Sequence, residues 1–284
     1  MCIRDRRFTQ RCADLCAKHC RSAPAPRRTV GGGGSSDDLL LMPHESGASG
    51  RLRVRQGVAL DVGCAVGGAS FELTRHFRDV VGVDLSAPFV AAAKVLKERG
   101  RLTYKSLAEG TTYVTKEAIV NTRIDRTRVD FREGDACALP PSLLGGGGDP
   151  ADAQHFQNFG RHDAVLAANL LCRLPDPEAF LRDCAKLVRP DGVLVLVSPY
   201  SWLEAWTPKH KWLGGARSAT GGGDEKTNRS FAAIRALLES PAGGFDLVDQ
   251  TDLPFLIKEH DRKFQWGCSH ATVWRRRRQS TQAR

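Results

Sequence analysis

The sequence has no apolar run near the 18 or so residues that a membrane-spanning helix needs; VLAANLLC and VLVLV are among the longest. It reads as a soluble, cytoplasmic chain with no membrane partner. An excess of positive charge is also missing from the body of the chain, although the net charge is +10. Residues 1–28 carry +6 and residues 275–284 carry +5, so the stretch between them stands at −1. A phosphate-binding face would keep its cations on the folded domain, so nucleic acid is not an expected partner. A disulfide framework is missing too: the nine cysteines are odd in number, and five (64, 137, 172, 184, 268) are scattered singly, as reduced buried thiols are. Cys12, Cys16 and Cys20 have a spacing that could place three thiols on one helix face, with His19 beside them. No fourth-ligand motif accompanies them, and no metal site is expected.

At 284 residues the chain suits one α/β domain with extensions. Residues 1–50 include the Pro/Gly/Ser stretch RSAPAPRRTVGGGGSSDD and read as a disordered basic extension, with an organelle-targeting segment over residues 1–30 as the alternative. Residues 51–277 form the expected domain and 278–284 a basic tail. From residue 58 the pattern alternates: GVALDV is a strand, AVGGASFELTRHF a helix, DVVGVDL a strand. SAPFVAAAKVLKERG is a helix with Ser86 as N-cap, Pro88 in its first turn and Gly100 past its end. TRVDFREGDA and HDAVLAANLL are the third and fourth strands, PDPEAFLRDCAKLVRPDG a helix stopped by Pro190 and Gly192, and VLVLVSPY the fifth strand. This alternation predicts an α/β, Rossmann-like, doubly wound and mostly parallel sheet. FDLVDQTDLPFL and FQWGCSHATVWRR predict an antiparallel edge pair at the C-terminus. TYKSLAEGTTYVTKEAIV has the Thr, Tyr and Val content of a β-hairpin, and residues 145–160 and the glycines at 221–223 read as insertions.

The stretch VALDVGCAVGGAS at 58–70 is a strand followed by a glycine turn, which usually seats a nucleotide-like ligand. As a dinucleotide fingerprint it would place Gly63, Ala65 and Gly68 at the three glycine positions, and a methyl at the middle one obstructs the pyrophosphate. Asp61, two residues before Gly63, would repel a phosphate and favour a cationic amine or sulfonium. Asp84 ends the second strand 21 residues after Gly63, where a carboxylate accepts hydrogen bonds from ribose hydroxyls. Asp135, after the third strand, suits an adenine amino group. Three acids around one cleft favour S-adenosylmethionine over a phosphate-bearing cofactor.

The arrangement resembles the class I adenosylmethionine-dependent methyltransferases. The resemblance implies a seven-stranded sheet whose last strands are antiparallel, with Asp61, Gly63 and Gly67 at the methionine end of the cofactor, Asp84 at the ribose, and Asp135 with Ala136 at the adenine. LDVGCAVGGASFELTRHF, GDACALP, AANLLCRLPDPEAFL, SPYSWLEAWTPKHKWLGG and LPFLIKEHDRKFQWGCSHATVWRR are further similar to the methyltransferase domain at the C-terminus of ovothiol-synthesising proteins. That resemblance implies N-methylation of an imidazole nitrogen of a mercaptohistidine to give ovothiol A, by a domain fused to or working with an iron-dependent sulfoxide synthase.

Ligands in such a sheet meet beyond the C-terminal strand ends. Asn169 and Tyr200, after the fourth and fifth strands, are the expected groups that orient the imidazole, and His260 is a candidate proton acceptor. Arg173 or Arg262 could hold the substrate carboxylate and Glu204 or Glu259 its ammonium, with Trp202 lining the site or packing in the core. A methyltransferase for another small molecule, or a non-catalytic module retaining the fold, are the competing readings.

Overall fold

The computed structural model describes residues 2–3, 6–20, 55–140, 162–215 and 229–278. Eight strands form one sheet in the order β1-β9-β10-β8-β7-β2-β3-β6. Its parallel body consists of β2 (Arg55–Val62), β3 (Phe77–Asp84), β6 (Val129–Glu133), β7 (His162–Ala168) and β8 (Val188–Ser198). The last strand, β10 (Lys263–Arg276), inserts antiparallel between β8 and β9 (Phe245–His260), as the edge-pair expectation requires. One strand more than expected comes from β1 (Cys2–Ile3), which pairs with β9.

Alternate residues of the strands feed two apolar layers. Ala59, Val80, Val193, Val195 and Val273 face one layer with α1 (Arg6–His19), α2 (Gly68–Leu73) and α3 (Ala87–Arg99). Leu60, Val81, Leu194, Leu196 and Trp274 face the other with α4 (Pro177–Leu187) and α5 (Ser230–Glu239). Local chemistry fixes the helix ends. Ser86 Oγ accepts from the Phe89 N–H at 3.4 Å, Gly100 adopts φ 72 and its N–H closes on Leu96 O, and Asp176 Oδ1 accepts from the Ala179 N–H at 3.0 Å. Two helices are shorter than their sequence suggests. The second ends at Leu73, and α4 ends at Leu187, before Pro190 and Gly192, because Val188 already pairs with His162 in the sheet.

The expected disorder of residues 1–50 fails over Arg6–Cys20; residues 21–50 lie outside the described residues. Helix α1 buries Phe8, Cys12, Ala13, Cys16, Ala17 and Cys20. The thiols at 12 and 16 are held protonated by burial and by the nearby Asp61 carboxylate, so they act as small apolar groups. Among the described residues no three potential ligands gather around a metal position. Phe8 also packs on Phe255, with ring centroids 5.5 Å apart. Phe8→Ala therefore costs about 3 kcal/mol, read as a lowered denaturation midpoint together with earlier proteolysis of α1.

Arg275, Arg276 and Arg277, half-buried at the end of the domain, are structural. Arg275 donates to Asp191 O and His19 O, Arg276 to Val188 O, and Arg277 to Glu239 O and Ser240 O, so the run ties down the carbonyl ends of α1 and α5. Arg278 meets Asp191 at 2.5 Å, and residues 279–284 lie outside the described residues. The insertions at 145–160 and 221–223 also lie outside them. No described helix is long and apolar enough to cross a membrane.

The expected hairpin is β4 (Arg101–Glu109) with β5 (Thr112–Ile119), a separate two-stranded sheet. It meets the tip of the long β9–β10 ribbon: the Asp261 N–H donates to Ala108 O at 3.1 Å, and Lys116 Nζ reaches the Asp261 carboxylate at 2.7 Å. Lys116 and Lys258 together hold the Asp261 carboxyl down at about 2. Asp261 thus joins two hairpins.

Candidate active site

Strand register brings the candidate residues to one edge of the sheet. Val62 lies beside Val83, Asp84 beside Glu133, and Ala168 beside Val197, so the segments after β2, β3, β6, β7 and β8 all emerge at the C-terminal edge. Backbone bonds lock these segments together. Gly63 and Cys64 donate to Val83 O at 2.8 and 3.0 Å, Gly134 to Asp84 O at 3.0 Å, and Asn169 to Val197 O at 2.7 Å.

The glycine turn is left-handed at Gly63 (φ 75), Ala65 (φ 48) and Gly67 (φ 85). Gly63 is overlaid by the loop after β7: a Cβ there would stand 2.8 Å from Leu170 Cδ1. Gly67 is required for a different reason than a ligand. It is buried, and a Cβ would stand 2.5 Å from Phe131 Cζ. Its smallness serves packing of the turn onto β6.

Asp84 is the organising carboxylate. Its Oδ2 accepts from the Ala65 N–H at 2.8 Å and its Oδ1 from the Ser86 N–H at 2.9 Å, so one side chain spans the turn and the start of α3. Leu85, next in sequence, is 68 % exposed, leaving an uncovered apolar side chain beside the acid. Asp135 Oδ1 accepts from the Cys137 N–H at 2.8 Å, which turns the chain so that Ala136 lies buried against the second layer.

Asp61 lies beneath the turn rather than along its rim. It is 2 % exposed, and its Oδ2 accepts from Ser70 Oγ at 2.6 Å. Desolvation lifts its carboxyl to about 6, with the Asp84 charge adding to the rise and the Ser70 hydroxyl opposing it. Residues 61–74 carry no lysine or arginine. A set of acceptor carboxylates without a cation suits the ammonium and sulfonium of adenosylmethionine and disfavours a pyrophosphate.

Beyond the turn, left-handed backbone recurs at Asn169 (φ 54) and Tyr200 (φ 53), just past the ends of the adjacent strands β7 and β8. Their side chains meet consecutive residues of β10. Asn169 Oδ1 accepts from Ser269 Oγ at 2.7 Å, and Tyr200 Oη lies 2.9 Å from His270 Nδ1. Ser269 and His270 are the residues that the sequence reading missed.

Other sequence candidates are placed elsewhere. His260 sits in the β9–β10 turn, where its Nδ1 accepts from the Arg262 N–H at 3.3 Å; seven residues of β10, a contour of about 23 Å, separate that turn from His270. The imidazole beside Tyr200 is His270. Trp202 is a core residue, its Nε1 donating to Ser230 Oγ at 2.9 Å and its ring stacked on Trp212. Arg173 donates to Ser201 O at 2.7 Å and to Cys172 O at 2.9 Å, joining the loops after β7 and β8. Glu204 is exposed in the loop after β8, and Arg262 in the hairpin turn.

Comparisons with known proteins give the family. Over 139 residues the chain is 28 % identical to a ubiquinone biosynthesis O-methyltransferase of Rhodopseudomonas palustris (strain BisA53), a match covering 49 % of this chain and 38 % of that protein. A protein of the same description from Coxiella burnetii (strain RSA 493 / Nine Mile phase I) is 27 % identical over 135 residues, covering 48 % of this chain and 40 % of its own length. These matches therefore span about two fifths of the curated relatives. Among solved structures, the magnesium protoporphyrin IX methyltransferase of Synechocystis PCC 6803 with bound SAH superposes with a TM-score of 0.43 at 17 % identity, covering 78 % of this chain and 74 % of that one. A family profile described as "Methyltransferase domain" matches residues 44–252, which include the glycine turn, Asp84, Asp135, Asn169 and Tyr200. On that match the chain belongs to the methyltransferase-domain family.

Proposed function

We propose that this methyltransferase uses S-adenosylmethionine to methylate a ring nitrogen of an imidazole, with a mercaptohistidine as the acceptor. The observation that carries the donor is the acid-only cradle of Asp61, Asp84 and Asp135 around a left-handed glycine turn. In this reading Asp84 takes the ribose hydroxyls, Asp135 and Ala136 the adenine, Leu85 covers a face of the base, and Asp61 acts on the cation by charge from below. Bound adenosylmethionine supplies an electrophilic sulfonium methyl; the chain's own part is to align a neutral nitrogen with it and to keep water out.

The acceptor assignment rests on the resemblance of the segments around Asn169, Tyr200 and the β9–β10 ribbon to the ovothiol-forming domain. In this reading Tyr200 meets a ring N–H, and Asn169, whose oxygen accepts from Ser269 Oγ, offers its amide NH2 to an acceptor atom. The O-methyltransferase relatives favour a second reading, transfer to a phenolic oxygen of another small molecule. Incubation with labelled adenosylmethionine and either mercaptohistidine or a catechol-type phenol separates the two. Label on the imidazole is expected; label on the phenol alone overturns the acceptor, and failure to bind the donor supports a non-catalytic module.

A further inference from the structure

We propose that His270, acting through Tyr200, is the proton acceptor for the methylated substrate. The inference rests on the methyl-transfer reading above and adds a residue and a path to it. His270 pairs with Ser198 in the β8–β10 register, which sets its ring against the residue two positions on, Tyr200. Tyr200 Oη lies 2.9 Å from Nδ1, and Gln250 Oε1 lies 3.1 Å from Nε2. A carbonyl oxygen only accepts, so Nε2 carries the hydrogen and Nδ1 presents a lone pair to the phenol. The edge of the Phe231 ring, with centroids 4.9 Å apart and an interplanar angle of 77°, holds the imidazole in that orientation.

The two groups are in complementary protonation states. Burial, aided by the Asp252 charge, raises the Tyr200 phenol, which stays protonated and donates. Burial lowers the His270 imidazole from its usual 6.5, opposed by Asp252 across the β9–β10 pair, so it is neutral and accepts near pH 7. Tyr200 and Asp252 are the titratable groups that act on it, Gln250 and Phe231 the neutral ones. Tyr200 Oη then has lone pairs for an acceptor's N–H or O–H.

The proton balance is complete. As the new bond to the methyl carbon forms from an acceptor lone pair, the carbon–sulfur pair leaves with sulfur. The acceptor's N–H or O–H bond breaks toward Tyr200 Oη, its electrons staying on the acceptor, and the phenolic proton passes to His270 Nδ1. The resulting imidazolium is stabilised by Asp252 and releases its proton to solvent after turnover. His270 is thus a positioning and proton-accepting residue, working through a tyrosine that meets the substrate.

The test uses His270→Asn, whose amide oxygen can still accept the tyrosine hydrogen bond but does not titrate, and Tyr200→Phe. In the wild type, kcat should rise with pH through a value below 6.5 and stay level above it. His270→Asn should lower kcat about 100-fold, leave adenosylmethionine affinity within about twofold, and abolish the acid limb. A wild-type kcat, or an acid limb retained in His270→Asn, overturns the relay. Nitrogen-15 NMR of the protein alone gives a readout independent of turnover: Nδ1 of His270 should be unprotonated at pH 7.5, and a protonated Nδ1 rejects the path even if methyl transfer is found. Absence of transfer to any acceptor, with the expected NMR tautomer, counts against the parent reading and not against the hydrogen-bond chain.

Discussion

Asp84→Ala lowers the affinity for S-adenosylmethionine about 100-fold. The carboxylate has two tasks that a methyl group cannot share. It accepts the Ala65 and Ser86 N–H groups at 2.8 and 2.9 Å, which holds the left-handed turn in register with α3. Its remaining lone pairs face the ribose position, where two hydroxyls would each form a charge-assisted bond worth about 1.5 to 3 kcal/mol. Losing about 3 kcal/mol of this corresponds to the stated factor. Asp84→Asn should lie between, since its one oxygen can keep the Ala65 bond or a ribose bond but not all of them. Calorimetric titration of the three proteins checks the order; equal affinity for wild type and Asp84→Ala would remove Asp84 from the cofactor site.

Asp61→Asn has the second large effect, and its two consequences have opposite signs. Burial lifts the Asp61 carboxyl from 3.8 to about 6, so the folded protein holds this proton more tightly than the unfolded chain does. The associated stability is fully present below pH 4 and is lost as pH rises through 6. At pH 7.5 the buried charge costs about 3 kcal/mol. An asparagine keeps an acceptor for Ser70 Oγ without the charge, so the variant should gain about 2 to 3 kcal/mol, or roughly 5 °C or more in Tm. It should also bind adenosylmethionine about tenfold more weakly, because the ligand's cations no longer meet the carboxylate. In the wild type the affinity should decline below pH 6 as Asp61 takes up its proton, and in Asp61→Asn that decline should vanish. Thermal melts and titrations at pH 5.5 and 7.5 measure both; a destabilised Asp61→Asn would show that the charge is not strained.

What was legible in the sequence was local. Ser86 carries its capping role in its hydroxyl and Gly100 in its lack of a side chain, and the alternation of strands and helices points to a parallel sheet with few topologies to choose from. Helix α1 was hidden by the linker composition that follows it, although Phe8, Cys12, Cys16 and Cys20 recur every four residues, a helical stripe, and burial shows the thiols to be apolar filler. The partners of the arginine run at 275–278 were out of reach of local reading: they are the ends of α1 and α5 and Asp191, up to 256 residues away in the chain.

The candidate site divides along the same line. Asp84 follows from its distance to Gly63, a spacing set by one strand–helix–strand unit. His270 does not, because only the insertion of β10 between β8 and β9 brings it beside Tyr200. His260 and His270 both lie in the quoted C-terminal motif, and register alone separates the hairpin turn from the strand facing Ser198.

The central claim is that the glycine turn and its acids hold a cationic methyl donor rather than a dinucleotide. Titration calorimetry of the full chain at pH 7.5, with S-adenosylmethionine in one run and NADH in the other, tests it most directly. Saturable binding of one adenosylmethionine per chain with no heat from NADH is the predicted result; NADH binding with no response to adenosylmethionine would contradict it.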